Sequence, residues 1–186
     1  MIICLCLETL LFSVKLKKIN MFGWNQERIF VITNEHIYNI KTSKPKRKIP
    51  IHLLGGISKA MTGVKIEFTL HVPTQYDYRF LSEKYISPVH YNNIYRREEI
   101  IDILKHRYAE KMQDNLPIFG IDKSTLTDYT TTEKDMKRMV SRFPPANLRI
   151  RTEDLINKST SQTSSEISAV SSKFTSQSEI EDNTFE

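Results

Sequence analysis

The apolar positions of this chain follow two periods. Up to about residue 82 they recur every second residue, and from residue 96 every third or fourth. Val64, Ile66, Phe68 and Leu70 alternate with Lys65, Glu67 and Thr69, the pattern of a half-buried strand. Leu10–Ile19 predicts another strand. Arg28–Thr33 and Ile37–Lys41 predict a hairpin about Asn34-Glu35-His36. Lys48–Leu54 reads as a strand broken at Gly55-Gly56, and Tyr76–Leu81 as one that follows Pro73. Within it Tyr76, Tyr78 and Phe80 are expected to pack in the core. The stretch MIICLCLETLLF is expected to be a buried strand, with a signal anchor as the alternative. It lacks a basic leader and a small-residue cleavage site, and Lys15, Lys17 and Lys18 follow it rather than precede it.

The helical period begins at Arg96. Ile100, Ile101, Leu104, Tyr108 and Met112 fall on one face of a helix over 96–112, with acids early and bases late, which suits the helix dipole. A second helix is predicted over about 133–143. Thr132 and Asp135 open it in the manner of a capping box, Met136, Met139, Val140 and Phe143 form its apolar stripe, and Pro144-Pro145 stops it. Between the helices, Leu116, Ile118, Phe119, Ile121 and Leu126 are too apolar for a free linker and are expected to pack on the β-domain or on a partner. The fold class is therefore α+β, mainly β: a small sandwich or barrel over 8–113 capped by a helix, then a helical and irregular docking extension over 114–156. In residues 157–186, thirteen of thirty positions are Ser or Thr, so this tail cannot bury enough apolar surface to order itself.

Charge sharpens this division. The net charge is +7 over residues 1–60, +1 over 61–113, zero over 114–156 and −3 over 157–186. The basic character belongs to the first third. No apolar run approaches the ~18 residues of a membrane-spanning helix. Cys4 and Cys6 have no distant partner, which excludes a disulfide framework and predicts a reducing compartment. The five histidines show no ligand spacing, and no phosphate-loop, hydrolase, kinase or metalloprotease motif occurs. The expectation is a binding module with no cofactor and no metal.

The order QERIFVITNEHIYNI, KPKRKIP, IHLLGGISK, HVPTQYDYRF and REEIIDILKHRYA resembles the pleckstrin-homology-like (PH-like) tail-homology domain of class I myosins, over about residues 8–112. It is still more similar to free-standing PH-like proteins of ciliates. The resemblance implies a seven-stranded, partly open barrel plugged by its C-terminal helix. Two segments depart from the family: Tyr85–Tyr95 looks like an insertion, and residues 114–186 have no counterpart.

Lipid-binding members use basic residues on the first strand and at the start of the second. The matching positions are Lys15, Lys17, Lys18 and Arg28, with Lys41, Lys44, Lys46, Arg47 and Lys48 expected on the next turn. Glu27 stands where a second base would be favoured. Phe22 and Trp24, in the first loop, are candidates for membrane insertion or partner docking, as are Leu116, Ile118, Phe119, Met136, Met139, Val140 and Phe143 for docking alone. Two functions are expected. The first is a structural adaptor in a cytoskeletal assembly, ciliary or axonemal, with tubulin as a partner. The second is a peripheral protein on the cytoplasmic face of a membrane, binding anionic phospholipid or phosphoinositide. Nucleic acid is disfavoured, because no RNP-type or helix-turn-helix pattern accompanies the charge.

Overall fold

Alternating side chains need a sheet with one face turned inward, and seven strands provide it: β1 (Leu10–Ile19), β2 (Asn25–Thr33), β3 (His36–Lys41), β4 (Lys44–Pro50), β5 (Gly56–Ala60), β6 (Ile66–His71) and β7 (Tyr78–Ser82). They pair antiparallel in the order β5-β6-β7-β1-β2-β3-β4. This is the arrangement in a computed structural model that describes residues 8–63, 66–82, 84–86 and 93–150. Directly opposed residues lie on the same side of a sheet, so the register defines the inner face. Ile32 opposes Ile37, which opposes Ile49; Phe68 opposes Phe80; Leu70 opposes Tyr78. Phe30, Phe68 and Phe80 are fully buried at the centre, Phe30 edge-on to the other two and those two stacked at 5.4 Å.

After a two-stranded piece, β8 (Lys84–Ile86) and β9 (Asn93–Tyr95), the helix α1 (Arg96–Met112) closes one end of the barrel with Ile100, Ile101 and Leu104. Its buried Arg97 fixes the angle: Nη1 donates to the carbonyl of Ala60 at 2.7 Å, and its backbone N–H donates to Ser82 Oγ. At the other end of the helix, Lys111 pairs with Glu35 at 2.7 Å in the β2–β3 turn. The mainly β architecture capped by a helix is thus the one expected.

The extension packs on the β-domain, one of the two places expected for it, but does so as a strand. Strand β10 (Ile118–Ile121) lies parallel to β5 and makes the sheet eight-stranded. Gly56 admits it, since a Cβ there would stand 2.9 Å from the Pro117 carbonyl oxygen. Leu116, Ile118, Phe119 and Ile121 are buried against the chain's own sheet, so of the two expected places, the β-domain and a partner, Leu116, Ile118 and Phe119 take the first and are not exposed for docking. β6 is correspondingly buried on both faces. Its polar side is met bond for bond: Glu67 accepts from the Leu126 N–H at 2.9 Å, Thr69 faces Thr130 at 3.2 Å, and His71 Nδ1 lies 3.0 Å from Asp77. Of the expected β6 stripe, Val64 lies outside the described residues, as do Cys4, Cys6 and the tail 157–186.

Two further elements differ. The expected basic turn over Lys41–Lys48 is a strand from Lys44 onward, entered by a two-residue turn in which Thr42 and Ser43 have φ of 48° and 66°. Such turns usually announce themselves by Asn-Gly. The helix expected over 133–143 is α2 (Glu133–Lys137). The Thr132–Asp135 capping box is present, but Met139 takes φ of 56°, and Arg142 folds back to Asp135 at 2.9 Å. The stripe is therefore not one buried face: Phe143 lies against the His71 ring at 5.0 Å, while Met139 is 95% exposed.

Asp77 should be the sensitive point of this packing. It accepts from the N–H groups of Val72 and Thr131 and faces His71. A buried donor left without its acceptor costs about 1–3 kcal/mol. Asp77→Ala should accordingly lower stability by about 3 kcal/mol or more in urea melts, with faster hydrogen exchange at the Thr131 amide.

Candidate anion-binding site

The end of the barrel away from α1 is lined by inward-facing polar residues. Lys18 opposes Gln26, Leu16 opposes Arg28, and Asn39 opposes Arg47. Arg28 is two residues from the buried Phe30 and shares its face. Tyr76 of the β6–β7 turn and Tyr78, the first residue of β7, complete the lining. Their rings stack at 5.6 Å, with Arg47 Cζ 4.2 and 4.3 Å from the two centroids and Lys18 Nζ 4.5 Å from that of Tyr78.

Three cations thus converge, and among the described residues none has a carboxylate partner. Arg28 donates to the Glu27 carbonyl and to Gln26 Oε1, both at 2.6 Å, and Arg47 Nε donates to Gln75 Oε1 at 2.7 Å. Arg28 Nε and both terminal nitrogens of Arg47 are buried without a protein acceptor. Burial, and then repulsion from Arg28 and Arg47, lowers the Lys18 pKa below the ordinary lysine value. Burial likewise raises that of Tyr78. Stacked on aromatic faces, the cations recover part of their lost hydration. An anion of matching size would recover the rest, and guanidinium groups bind phosphate oxygens well.

Of the nine basic residues singled out from the sequence, Lys18, Arg28 and Arg47 come together here. Lys15 and Lys17 are exposed on the other face of β1, and Lys17 opposes Glu27. Glu27 therefore points away from the mouth. Lys41, Lys44 and Lys46 are exposed outside it. Lys48 is held elsewhere, 3.1 Å from Glu8. Gln26, Asn39 and Gln75 were not foreseen, and Tyr76 and Tyr78, expected only as core, also line the site.

The β1–β2 loop projects beside Lys18. Asn20 Oδ1 accepts from the N–H groups of Phe22 and Trp24, both at 2.9 Å, and Gly23 takes φ of 82°. This short turn holds Phe22 and Trp24 71% and 72% exposed.

One further constellation has the order of a hydrolase triad: Ser58 Oγ lies 2.6 Å from His71 Nε2, and His71 Nδ1 lies 3.0 Å from Asp77 Oδ2. Ser58 has no exposure, and the rings of Phe119 and Phe143 enclose His71. These residues tie the extension to the barrel.

Glu8 generates a pH prediction. Burial alone would raise its pKa, but hydrogen bonds from Thr33, Lys48, Tyr38 and His36 outweigh it and bring the carboxyl from 4.5 to about 2. A depressed carboxylate contributes stability that is fully present above its unfolded pKa and is lost as pH falls through its folded one. Melting temperature should therefore fall with pH from 4.5 towards 2, and Glu8→Gln should flatten that slope.

A family model described as unconventional myosin tail, actin- and lipid-binding, matches residues 6–163, so the extension over 114–156, expected to have no counterpart in the family, lies within the match. Among solved structures, the hSac2 domain from the human phosphoinositide phosphatase Sac2 is similar, with a TM-score of 0.46 and 14% identity over 62% of this chain and 79% of that one. No curated protein matches the chain.

Proposed function

The chain belongs to the unconventional myosin tail family, and from that premise we propose that it is a non-catalytic module whose barrel mouth binds the phosphorylated headgroup of an anionic phospholipid. The observation that carries this reading is the convergence of Lys18, Arg28 and Arg47 on one another without a carboxylate among the described residues. Three cations brought together at a cost in hydration and repulsion suit a ligand with clustered phosphates, such as a phosphoinositide, better than a diffuse surface charge. The exposed Phe22 and Trp24 suit the bilayer boundary, where aromatic rings partition favourably. Lys15, Lys41, Lys44 and Lys46 add long-range attraction to the same surface.

The family description also names actin. The module therefore works, in this reading, on the cytoplasmic face of a membrane as an adaptor to the cytoskeleton. A ciliary or axonemal site with tubulin as partner was the other expectation from the sequence. It has no support from the family description, and the mouth gives it no advantage.

The test compares two double variants on vesicles containing a phosphatidylinositol bisphosphate. Each basic residue at an anionic surface contributes ~1 kcal/mol. Lys18→Gln with Arg28→Gln should therefore weaken binding by about 2 kcal/mol, roughly thirtyfold. Lys44→Ser with Lys46→Ser, outside the mouth, should cost less, and its effect should vanish at high salt. Equal losses in the two variants, measured by vesicle co-sedimentation, would reduce the mouth to non-specific charge.

A further inference from the structure

The turn that follows α2 is exposed, apolar and stiff. Met139 N–H donates to the Met136 carbonyl at 3.0 Å, Val140 N–H to that of Asp135 at 2.9 Å, and Arg142 clasps the Asp135 carboxylate at 2.9 and 3.2 Å. These bonds hold Met139 at φ of 56° with its side chain 95% exposed, beside Val140 at 45%. A core does not need this arrangement, and solvent opposes it.

Its place in the fold is informative. A cavity of about 190 Å3 has Asn20 and Met21 of the β1–β2 loop on one wall and Thr131 and Thr132 on the other. A second, of about 600 Å3, shares Asp77 and Thr131 with the first and is lined by Met139 and Val140. The two apolar tips therefore flank the same β6–β7 turn, at the end of the barrel that carries the cationic mouth. The charge around the second tip is complementary to an anionic surface. Between Thr130 and Ile150 there are five basic and two acidic residues. Glu133 pairs with Lys137 and Asp135 with Arg142, which leaves Lys134 and Arg138 exposed without a carboxylate among the described residues.

We infer that the Met139–Val140 turn is a second membrane anchor, entering the same anionic bilayer as Phe22 and Trp24. An apolar tip ringed by cations is the chemistry of an interfacial anchor. The inference rests on the lipid-binding reading above.

Trp24 is the one tryptophan of the chain, which allows a depth measurement at each tip separately. The wild type reports on the first, and Trp24→Phe with Met139→Trp reports on the second. With vesicles of phosphatidylcholine, phosphatidylserine and a phosphatidylinositol bisphosphate, brominated acyl chains should quench both reporters and shift both emissions to the blue. Met139→Asp should weaken vesicle binding roughly tenfold without changing the unfolding midpoint, because the residue is exposed. Quenching of Trp24 alone overturns the second anchor and leaves lipid binding standing, the tip then facing a protein. Unchanged vesicle affinity of Met139→Asp overturns it as well. Absence of quenching at both positions, with no co-sedimentation, overturns both readings.

Discussion

The carboxylate of Asp77 is the constraint on which the rest depends. One oxygen accepts from Val72, closing the β6–β7 turn; the other accepts from Thr131 and faces His71, whose far nitrogen meets Ser58. A buried carboxylate is tolerated only when its lone pairs are occupied, and here the Val72 and Thr131 N–H groups and the His71 ring meet to occupy them. The turn so fixed carries Tyr76 and leads into Tyr78, whose ring stacks on it. The residue that anchors the extension thereby also positions the aromatic wall against which Lys18 and Arg47 rest.

The mouth itself works in the opposite sense. Where the outer face of β6 is satisfied bond by bond, the cations of the mouth share neutral amides, a carbonyl and aromatic rings. Neutral partners hold the side chains in place without neutralising them, so their charge remains for a ligand. The same chain thus has a polar layer completed internally by residues 116–131 and another whose three cations have no carboxylate partner among the described residues. The depressed pKa of Lys18 is the electrostatic sign of the second.

Much of the barrel was legible in the sequence because alternation directly reports a half-buried sheet. The number of barrel strands and the plugging role of the helix came with the family resemblance. What escaped depends on contacts distant in sequence. The extension could be seen to be apolar, but that Ile118–Ile121 runs parallel to β5 depends on the room beside Gly56. Thr42 and Ser43 form their turn without the residues that normally mark one. For the site, Lys18 and Arg28 were found through the family's first two strands. Arg47 stands in a run of bases, and only the strand register separates it from Lys46 and Lys48. Period-two spacing puts Tyr76 and Tyr78 on the core face, but cannot tell that this face opens at the barrel's end.

The lysines that miss the mouth follow a rule of their own. β4 ends the sheet, and along it Lys44, Lys46 and Lys48 alternate with Pro45 and Arg47. Bare sheet edges invite a strand from another molecule, and proteins discourage this with lysine and proline. At the opposite edge, Arg149 bridges to Phe119. A protein gathered on a membrane is confined to two dimensions, where copies collide edge to edge far more often than in bulk solution. The charge and proline along β4 therefore bear on contacts between molecules: on the proposed membrane surface they would keep neighbouring copies from zipping into a common sheet.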